Sequence, residues 1–533
     1  MNAGKTVEVE LKLALPDPEA EDTVIAAIRE CGYTVKELQP VRNIDIYLDT
    51  FDWSLMKKKL ALRYRIADGR AVYTIKSLGK IEDGITKRME IEAPLDGPVD
   101  CPAEVLSKQI RSLIDGIIYP RKLLEHIQIR TERKRYRIVS PEGAKIEFAF
   151  DTSVSSLRGL HTPKRTQKFY EMEAELREGP ETSLSTLSGL LSETFGYLPS
   201  SSSKLESAFE RLKITIPSKN LPEEYAIRLD DRLDLAVRKI LACQFTRFRD
   251  QLPGVKRDID TEFVHQARVA IRRMRSALRL FRDAVPKSAN DCLAGELEWM
   301  GSLFGAVRDL DVFLLNLCRF KERVERFSLK WKAVFDRWIE EQRRSRLTSL
   351  LEALESQRYG NFERRLLRFV EAPIYAHPRA PLAIKPVHQM APLIIKEKLA
   401  AVIDQGHRVL ENQRPKQFHR LRIQTKRLRY ACEFMASAYG KDLDSFVERT
   451  VEIQDCLGEI QDSVFTRKYI DSLFKEWRCK LIEPELAFIL GELYQLQCEI
   501  ARERQATFIK IWEQFSFDDT IKQLDRIFMG QTN

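Results

Sequence analysis

Along the first 210 or so residues, apolar and polar side chains alternate with period two in segments such as "TVEVELKLAL", "NIDIYLDT", "LALRYRIAD", "AVYTIKS", "TKRMEIEAPL", "ERKRYRIVS", "AKIEFAFD" and "KFYEMEAELRE". That period sends successive side chains to opposite faces of a strand, so each segment predicts a strand with one apolar face and one charged face. Segments near 18–31, 103–114, 182–195 and 203–212 predict short helices. Residues 213–224, with two prolines and little apolar content, predict a linker. From about 225 the pattern turns helical and glycine becomes sparse. A second break, "EAPIYAHPRAPLAIKP" at 371–386, carries four prolines and divides the helical part into about 225–370 and 387–530.

The charged faces recur in rows. Glu8, Glu10 and Lys12 share one face of the first strand, with Val7, Val9, Leu11 and Leu13 on the other. Arg63 and Arg65 share a face, as do Arg88, Glu90 and Glu92, then Arg133, Arg135 and Arg137, then Glu171, Glu173 and Glu175. A single such row is ordinarily the wet side of a sheet. Repeated on eight or so strands, it predicts an antiparallel β-barrel closed around a charged lumen, with helices over its outside. The expected architecture is an α+β domain over 1–212 followed by an all-α domain of two similar bundles over 225–533.

A lumen holding both signs of charge has an evident chemistry. Glu8, Glu10, Asp151, Glu171 and Glu173 offer the hard oxygen ligands that a divalent ion takes. Lysines and arginines hold phosphate and neutralise the charge that develops in phosphoryl transfer. A bound metal would also activate water as the nucleophile. "DGRAVYTIKSLGK" is not a phosphate-binding P-loop, and no Rossmann fingerprint is present, so kinase and dehydrogenase readings lose support.

The helical part contains an internal repeat. "VHQARVAIRRMRSALRLF" (264–281) lies over "FHRLRIQTKRLRYACEFM" (418–435) at an offset of 154, and "LFGAVRDLDVF" meets "CLGEIQDSVF" at nearly the same offset, pairing Asp309 with Asp462. On a helical wheel His265, Arg268, Arg272 and Arg275 fall within an arc of about 80°, and Arg279 lies inside it. His419, Arg422, Lys426 and Arg429 repeat the stripe. Arg273 and Arg427 sit to the side, facing solvent or an acidic neighbour. An isolated basic stripe is usually just solvated. Two copies about a pseudo-twofold axis would line one groove suited to an extended polyanion, because guanidinium forks match phosphate oxygens. The histidines would add pH-tunable donors. Asp309, Asp311, Asp455 and Asp462 read as partners that orient arginines rather than as metal ligands. Phe281, Phe418 and Tyr430 occur around the stripes, but Phe281 and Phe418 fall on the apolar arc, so a phosphate-only ligand fits better than nucleic acid with its stacked bases.

Composition adds three points. At 533 residues the chain exceeds the size of one core, and its net charge of +9 is modest, so the local clusters matter more than the total. Nine scattered cysteines without CxxC pairs argue for reduced thiols and against a zinc site. No apolar run approaches the ~20 residues of a membrane span and the first residues lack a signal-like apolar stretch, so a cytoplasmic protein without a membrane partner is expected.

Two resemblances follow from these residues. The doubled pattern H-x-x-R-x-x-x-[RK]-x-x-R, each followed by an Asp-bearing helix ("AVRDLD", "EIQDSV"), resembles the conserved histidine α-helical domain, CHAD, over roughly 225–530. That resemblance implies a pair of helical bundles and inorganic polyphosphate bound by His265, Arg268, Arg272, Arg275, His419, Arg422, Lys426 and Arg429. Arg279 joins them in the first copy only, since Glu433 stands opposite it, just as Gln461 stands opposite Arg308. The strand motifs resemble the CYTH family, named for class IV adenylate cyclase and thiamine triphosphatase, over about 1–212. They are Glu8-Glu10-Lys12, Arg63 and Arg65, Lys76 in "YTIK", Arg88 and Glu90, Asp151 in "FAFD", Glu171 and Glu173, and Lys204 in "SKLE". This implies a triphosphate tunnel in which Glu8, Glu10 and Lys12 are catalytic. Glu8, Glu10, Asp151, Glu171 and Glu173 would sit at Mg²⁺ or Mn²⁺. Lys12, Arg63, Arg65, Lys76, Arg88 and Lys204 would hold triphosphate together with Arg133 or Arg135, of which Arg135 is preferred.

The combined expectation is a metal-dependent inorganic triphosphatase with a polyphosphate-binding module, in some settings at polyphosphate granules. The rival readings are a non-catalytic polyphosphate-binding or granule-targeting protein, a class IV-type adenylate cyclase, a thiamine triphosphatase and a nucleic-acid binder.

Overall fold

The computed structural model describes residues 5–15, 18–78, 81–82, 85–158, 165–197, 199–200, 202–214, 216, 222–321, 329–373, 380–476, 484–514 and 517–529. Within these it leaves out the side chains of 5–8, 14, 18, 81–82, 85–89, 318–321, 329–334, 441–442, 444–445, 449, 476, 485, 514 and 517–520. Contacts divide the chain into two compact units, 1–219 and 220–533.

The first unit is built on nine strands: β1 (Lys5–Leu15), β2 (Thr34–Thr50), β3 (Leu60–Ala67), β4 (Arg70–Ser77), β5 (Ile81–Glu82), β6 (Ile85–Leu95), β7 (Leu123–Val139), β8 (Lys145–Leu157) and β9 (Thr166–Glu178). They pair in the order β1-β9-β8-β7-β2-β3-β4-β6, with β5 on β6, and β1 pairs with β6 as well. That last pairing, which sets Glu8 opposite Arg88, closes eight antiparallel strands into a ring. The period-two pattern therefore ends in the barrel it predicts.

The apolar faces point outward and are covered. α1 (Glu21–Glu30) and α4 (Thr182–Phe195) bury Val24, Ile28, Leu184, Leu187 and Leu191 against Leu11, Leu13, Phe148 and Met172. α3 (Lys108–Ile118) presents Ile110, Ile114 and Ile118, at helical spacing, to Leu62, Tyr64, Tyr73 and Ile75. α3 starts five residues later than the pattern near 103–114 predicts. Ser107 caps it, accepting from Ile110 N, while the preceding turn is tied by Tyr73 donating to the carbonyls of Pro102 and Val105. The short α2 (Ser54–Lys57) has no periodic signature in the sequence; the Asp49 carboxylate accepts from its Leu55 and Met56 amides.

At one end of the barrel the lumen face itself turns apolar. Tyr47, Trp53, Ala61, Ile127, Ile129 and Phe169 meet Leu205, Ala208, Phe209 and Leu212 of α5 (Lys204–Leu212). α5 thereby plugs that end.

The second unit is helical: α6 (Leu233–Lys256), α7 (Thr261–Leu280), α8 (Lys287–Lys321), α9 (Leu329–Glu355) and α10 (Gln357–Glu371), then α11 (Val387–Glu411), α12 (Pro415–Tyr439), α13 (Lys441–Glu476), α14 (Pro484–Gln514) and α15 (Phe517–Met529). The starts of α6 and α11, of α7 and α12, and of α8 and α13 are each 154 residues apart, so the sequence repeat is a structural one. Equivalent residues also touch. Arg232 and Pro386, which precede α6 and α11, form an antiparallel bridge. The prolines of 371–386 therefore do more than separate two bundles, because residues 382–388 are hydrogen-bonded back to Asp283, Leu229, Asp231, Leu233 and Asp234. Among the described residues no helix is long and apolar enough to cross a membrane.

Candidate functional site

Alternation along the strands delivers Glu10, Lys12, Asp45, Arg63, Arg65, Lys76, Glu90, Arg133, Asp151, Glu171 and Glu173 to the lumen. All but Arg65, Lys76 and Arg133 are less than a tenth exposed. Charges this deep are costly unless paired, and the pairing is dense. Arg133 donates Nε and Nη2 to the two oxygens of Asp151 at 2.8 and 2.6 Å, and also reaches Glu173. Lys12 Nζ lies 2.8 Å from Glu173 Oε1. Lys204, at the first turn of α5, donates to Asp151 and lies 3.5 Å from Glu173 and 4.0 Å from Glu171. Lys76 pairs with Glu90, and Arg65 grips Asp45 with two bonds of 2.7 and 2.8 Å.

These contacts set the protonation states. Burial alone would raise the Glu173 pKa, but Arg133, Lys12 and Lys204 together hold it well below the usual carboxylate range. Burial would likewise lower Lys204, and Asp151 and Glu173 push it above its ordinary value instead. Asp45 is held low by Arg65 and Arg63 against the same burial. Glu173, Lys204 and Asp45 are therefore all ionised at neutral pH.

The lumen contains two chambers that share Arg63, Arg65, Lys76 and Arg133. An inner one of about 60 Å³ reaches Glu10, Lys12, Glu173 and Lys204, and an outer one of about 540 Å³ reaches Arg135, Glu147, Glu175 and Arg177. Arg133 and Arg135 thus both face the lumen. Arg133 is the one among the carboxylates, while Arg135 donates to the Gln39 carbonyl near the mouth. Glu175 also sits at the mouth, paired with Arg177 at 2.5 Å. The side chains of Glu8 and Arg88 lie outside the described residues. Asp45, absent from the sequence-based set, shares its strand face with Asn43 and Tyr47 in "NIDIYLDT", a signal the alternation does carry.

No three His, Cys, Asp or Glu side chains converge as a ready metal cage among the described residues. Three carboxylates instead surround the Lys204 ammonium. Two observations fit a hard cation at this place all the same: the donors are carboxylate oxygens, and the buried Glu171 Oε2 accepts no hydrogen bond. Lys204 is held there by the start of α5, where Ser203 and Glu206 form a reciprocal capping box. Ser203→Ala is expected to cost about 1 kcal/mol of stability by loosening the start of α5, and thermal unfolding would check it.

In the second unit α7 and α12 pack together and bring the two basic stripes into contact. Arg272 Nε donates to the Tyr430 hydroxyl at 2.7 Å, and Arg273 pairs with Glu433. A cavity of about 560 Å³ is lined by His265, Arg272, Arg422, Lys426 and Arg429, with Asp455 and Asp462 on its wall. The Arg268 and Arg422 guanidinium groups lie over Gly305 and Gly458, where an added Cβ would be in ordinary contact at 3.6 and 3.9 Å.

The stripe of the helical wheel is divided by its neighbours. Arg268 stands beside Asp309 at 3.9 Å, whereas Arg275 is drawn to Glu298 at 2.8 Å. His419 is exposed and bonds Gln461 at 2.7 Å. Arg279 leaves the groove for a separate pocket shared with Arg427. Asp311 is buried against Arg343 rather than against the stripe. The expectation of a pH-tunable histidine fails at His265. Burial first, then Arg308, Arg272, Arg268 and Lys426, pushes its pKa down to about 3, so it stays neutral. The titrating group is Lys426, which burial and Arg272 and Arg422 push down to about 6.

Comparisons with known proteins agree with this division. The model of the CYTH domain matches residues 6–205 and that of the CHAD domain matches 239–471. An uncharacterized protein of Mycobacterium tuberculosis is 26% identical over 504 residues, covering 90% of this chain and 91% of its own. The inorganic triphosphatase of Haemophilus influenzae is 28% identical over 172 residues, 32% of this chain and 46% of that one. Among solved structures, the CHAD domain of Ricinus communis covers 56% of this chain and 98% of its own at 21% identity and a TM-score of 0.44. A Hippeastrum adenylyl-cyclase candidate described as having a dominant triphosphatase activity covers 40% of this chain and all of its own, at 24% identity and a TM-score of 0.28.

Proposed function

This chain belongs to the proteins that join a CYTH domain to a CHAD domain, and from that premise we propose that its barrel hydrolyses inorganic triphosphate while its helical groove binds inorganic polyphosphate. The observation that carries the reading is the charge arrangement of the lumen. Arg63, Arg65, Lys76 and Arg133 line both chambers, so an anionic chain entering from the wide end meets cations along its whole path. At the narrow end lie the carboxylates of Glu10, Asp151, Glu171 and Glu173, which suit an electrophilic centre better than a bound anion.

The residues divide the work. Arg63, Arg65 and Lys76 orient the phosphate chain and balance its charge. Lys12 and Arg133 reach the phosphoryl group nearest the carboxylates and neutralise the charge that accumulates on its oxygens as the P–O bond breaks. α5 closes the inner end and excludes bulk water, leaving space for few solvent molecules in a chamber of about 60 Å³. A Mg²⁺ or Mn²⁺ ion held by Glu10, Asp151, Glu171 and Glu173 would supply Lewis acidity and an activated water there. No aromatic side chain lines the outer chamber among the described residues, which favours a base-free substrate over ATP or thiamine triphosphate.

A second reading has its own observation. Lys204 already neutralises Asp151, and a tunnel that keeps it there would bind triphosphate without turnover. Phosphate release from tripolyphosphate, ATP and long polyphosphate with Mg²⁺ or Mn²⁺ separates the readings. Tripolyphosphate is expected to be cut at least tenfold faster than ATP. Binding without release would favour the non-catalytic reading, and cyclic AMP formed from ATP would replace both with a cyclase. In the groove, long polyphosphate is expected to outcompete DNA and RNA at equal phosphate concentration.

A further inference from the structure

The two repeats differ at one position in a way that leaves charge unbalanced. In the groove-side contact Arg273 pairs with Glu433 of the other repeat. The residues related to these by the 154-residue offset are Arg427 and Arg279. The arginine has been kept and the carboxylate has become a second arginine. Where one copy has an ion pair, the other has two like charges.

Those two arginines line a pocket of about 320 Å³ between α7, α11 and α12, together with Ser276, Arg282, Lys398 and Tyr430. Two carboxylates are also on its wall, but both are engaged: Asp283 lies 3.6 Å from Arg282, and Glu397 accepts from Lys398 at 2.7 Å. Arg279 and Arg427 have no carboxylate partner among the described residues. Among the described residues Arg427 reaches only the Gln424 amide oxygen at 3.3 Å, and its buried Nε has no hydrogen-bond acceptor. Burial and the Arg279 charge both disfavour its ionised form. A buried donor left unmet beside a like charge is costly unless something anionic completes it.

We propose that this pocket is a second anion site, separate from the polyphosphate groove, which takes a compact multiply charged phosphate such as pyrophosphate between Arg279 and Arg427. Two guanidinium forks with a hydroxyl, Ser276, close by match tetrahedral phosphoryl oxygens, and the volume admits two or three phosphoryl units rather than a long chain. Tyr430 lines both this pocket and the groove. The phosphoryl groups could therefore come from a free small phosphate or from the end of a polyphosphate chain that continues past Tyr430.

Arg279→Glu tests the proposal by installing the ion pair that the other repeat already has. Pyrophosphate binding to the full-length protein, measured by calorimetry without metal, would be compared for wild type, Arg279→Glu and Arg279→Ala. The tunnel and the groove are common to all three, so only the difference counts. Both variants are expected to bind one pyrophosphate fewer, and Arg279→Glu is expected to unfold at a higher temperature than wild type, which guards against loss through misfolding. If the affinity for long polyphosphate also falls more than tenfold, the site receives the chain end; if only the pyrophosphate stoichiometry falls, it takes a free small phosphate. Unchanged pyrophosphate and polyphosphate binding in both variants would overturn the site.

Discussion

Glu173→Gln is expected to lower kcat for tripolyphosphate by about 100-fold or more, as loss of a group central to transition-state electrostatics does, and to lower Tm on the order of 10 °C. One carboxylate here serves three buried cations: Lys12, Arg133 and Lys204. The amide keeps the shape and removes the charge, so those cations remain desolvated without compensation. The exposed Lys145–Glu178 pair is the control; Glu178→Gln is expected to cost less than about 1 kcal/mol, because solvent screens it. The pH dependence follows from the direction of the shift. The folded state holds Glu173 below its unfolded pKa, so its contribution is complete above the unfolded value near 4.3 and is lost as pH falls through the folded one. Wild type should therefore lose stability more steeply than Glu173→Gln on acidification below about pH 4. Without metal, tripolyphosphate should bind the variant more tightly than wild type, since a repelling charge has gone. Binding that improves while turnover disappears would separate a role in catalysis from a role in affinity. A variant that retains more than a tenth of wild-type kcat would remove Glu173 from the reacting end of the tunnel.

Much of this tunnel was legible because strand alternation is a strict code. Once Glu10 and Lys12 are on one face of β1, their companions on β3, β7, β8 and β9 follow from the same parity, and ring closure needs only that every strand have a charged face. What parity could not convey is depth along the lumen. It cannot tell Arg133, among the carboxylates, from Arg135, at the mouth, because both point inward. Nor does it reveal that α5 closes one end, which depends on Leu205 and Phe209 meeting Trp53 and Phe169 from distant segments. In the helical unit the wheel gives the basic faces of α7 and α12, and the repeat suggests that they share a groove, but neither says which side chains of other helices each face meets. The neighbours decide the outcome: Glu298 on α8 draws Arg275 aside, and burial followed by the Arg308 charge keeps His265 neutral. A residue-level pattern fixes which way a side chain points, and the packing of a second helix fixes what it finds there.

Polyphosphate affinity is expected to weaken as pH rises from about 6.5 to 8.5, by as much as tenfold per pH unit, and Lys426 is the cause. In the free protein burial and the charges of Arg272 and Arg422 push its pKa down to about 6, so above that pH its amine is largely neutral. A polyanion laid in the groove reverses the field and draws the pKa back toward its ordinary value near 10.4. Binding between those limits must then take up a proton, which calorimetry in buffers of different ionisation enthalpy would count directly. The same depression acts on folding with the opposite dependence. Between about 6 and 10.4 the unfolded chain binds more protons than the folded one, so the unliganded protein gains stability as pH rises through that window. Two substitutions separate charge from titration. Lys426→Met removes the repulsion and should raise Tm while weakening polyphosphate binding about tenfold at pH 6.5, the scale of one charge-assisted contact. Lys426→Arg keeps a charge that does not titrate, so binding should persist and its pH dependence flatten. A steep profile that survives in Lys426→Arg would assign the proton to another group. On the proposed function, the charge that lowers the stability of the free groove is the charge that a bound polyanion would compensate.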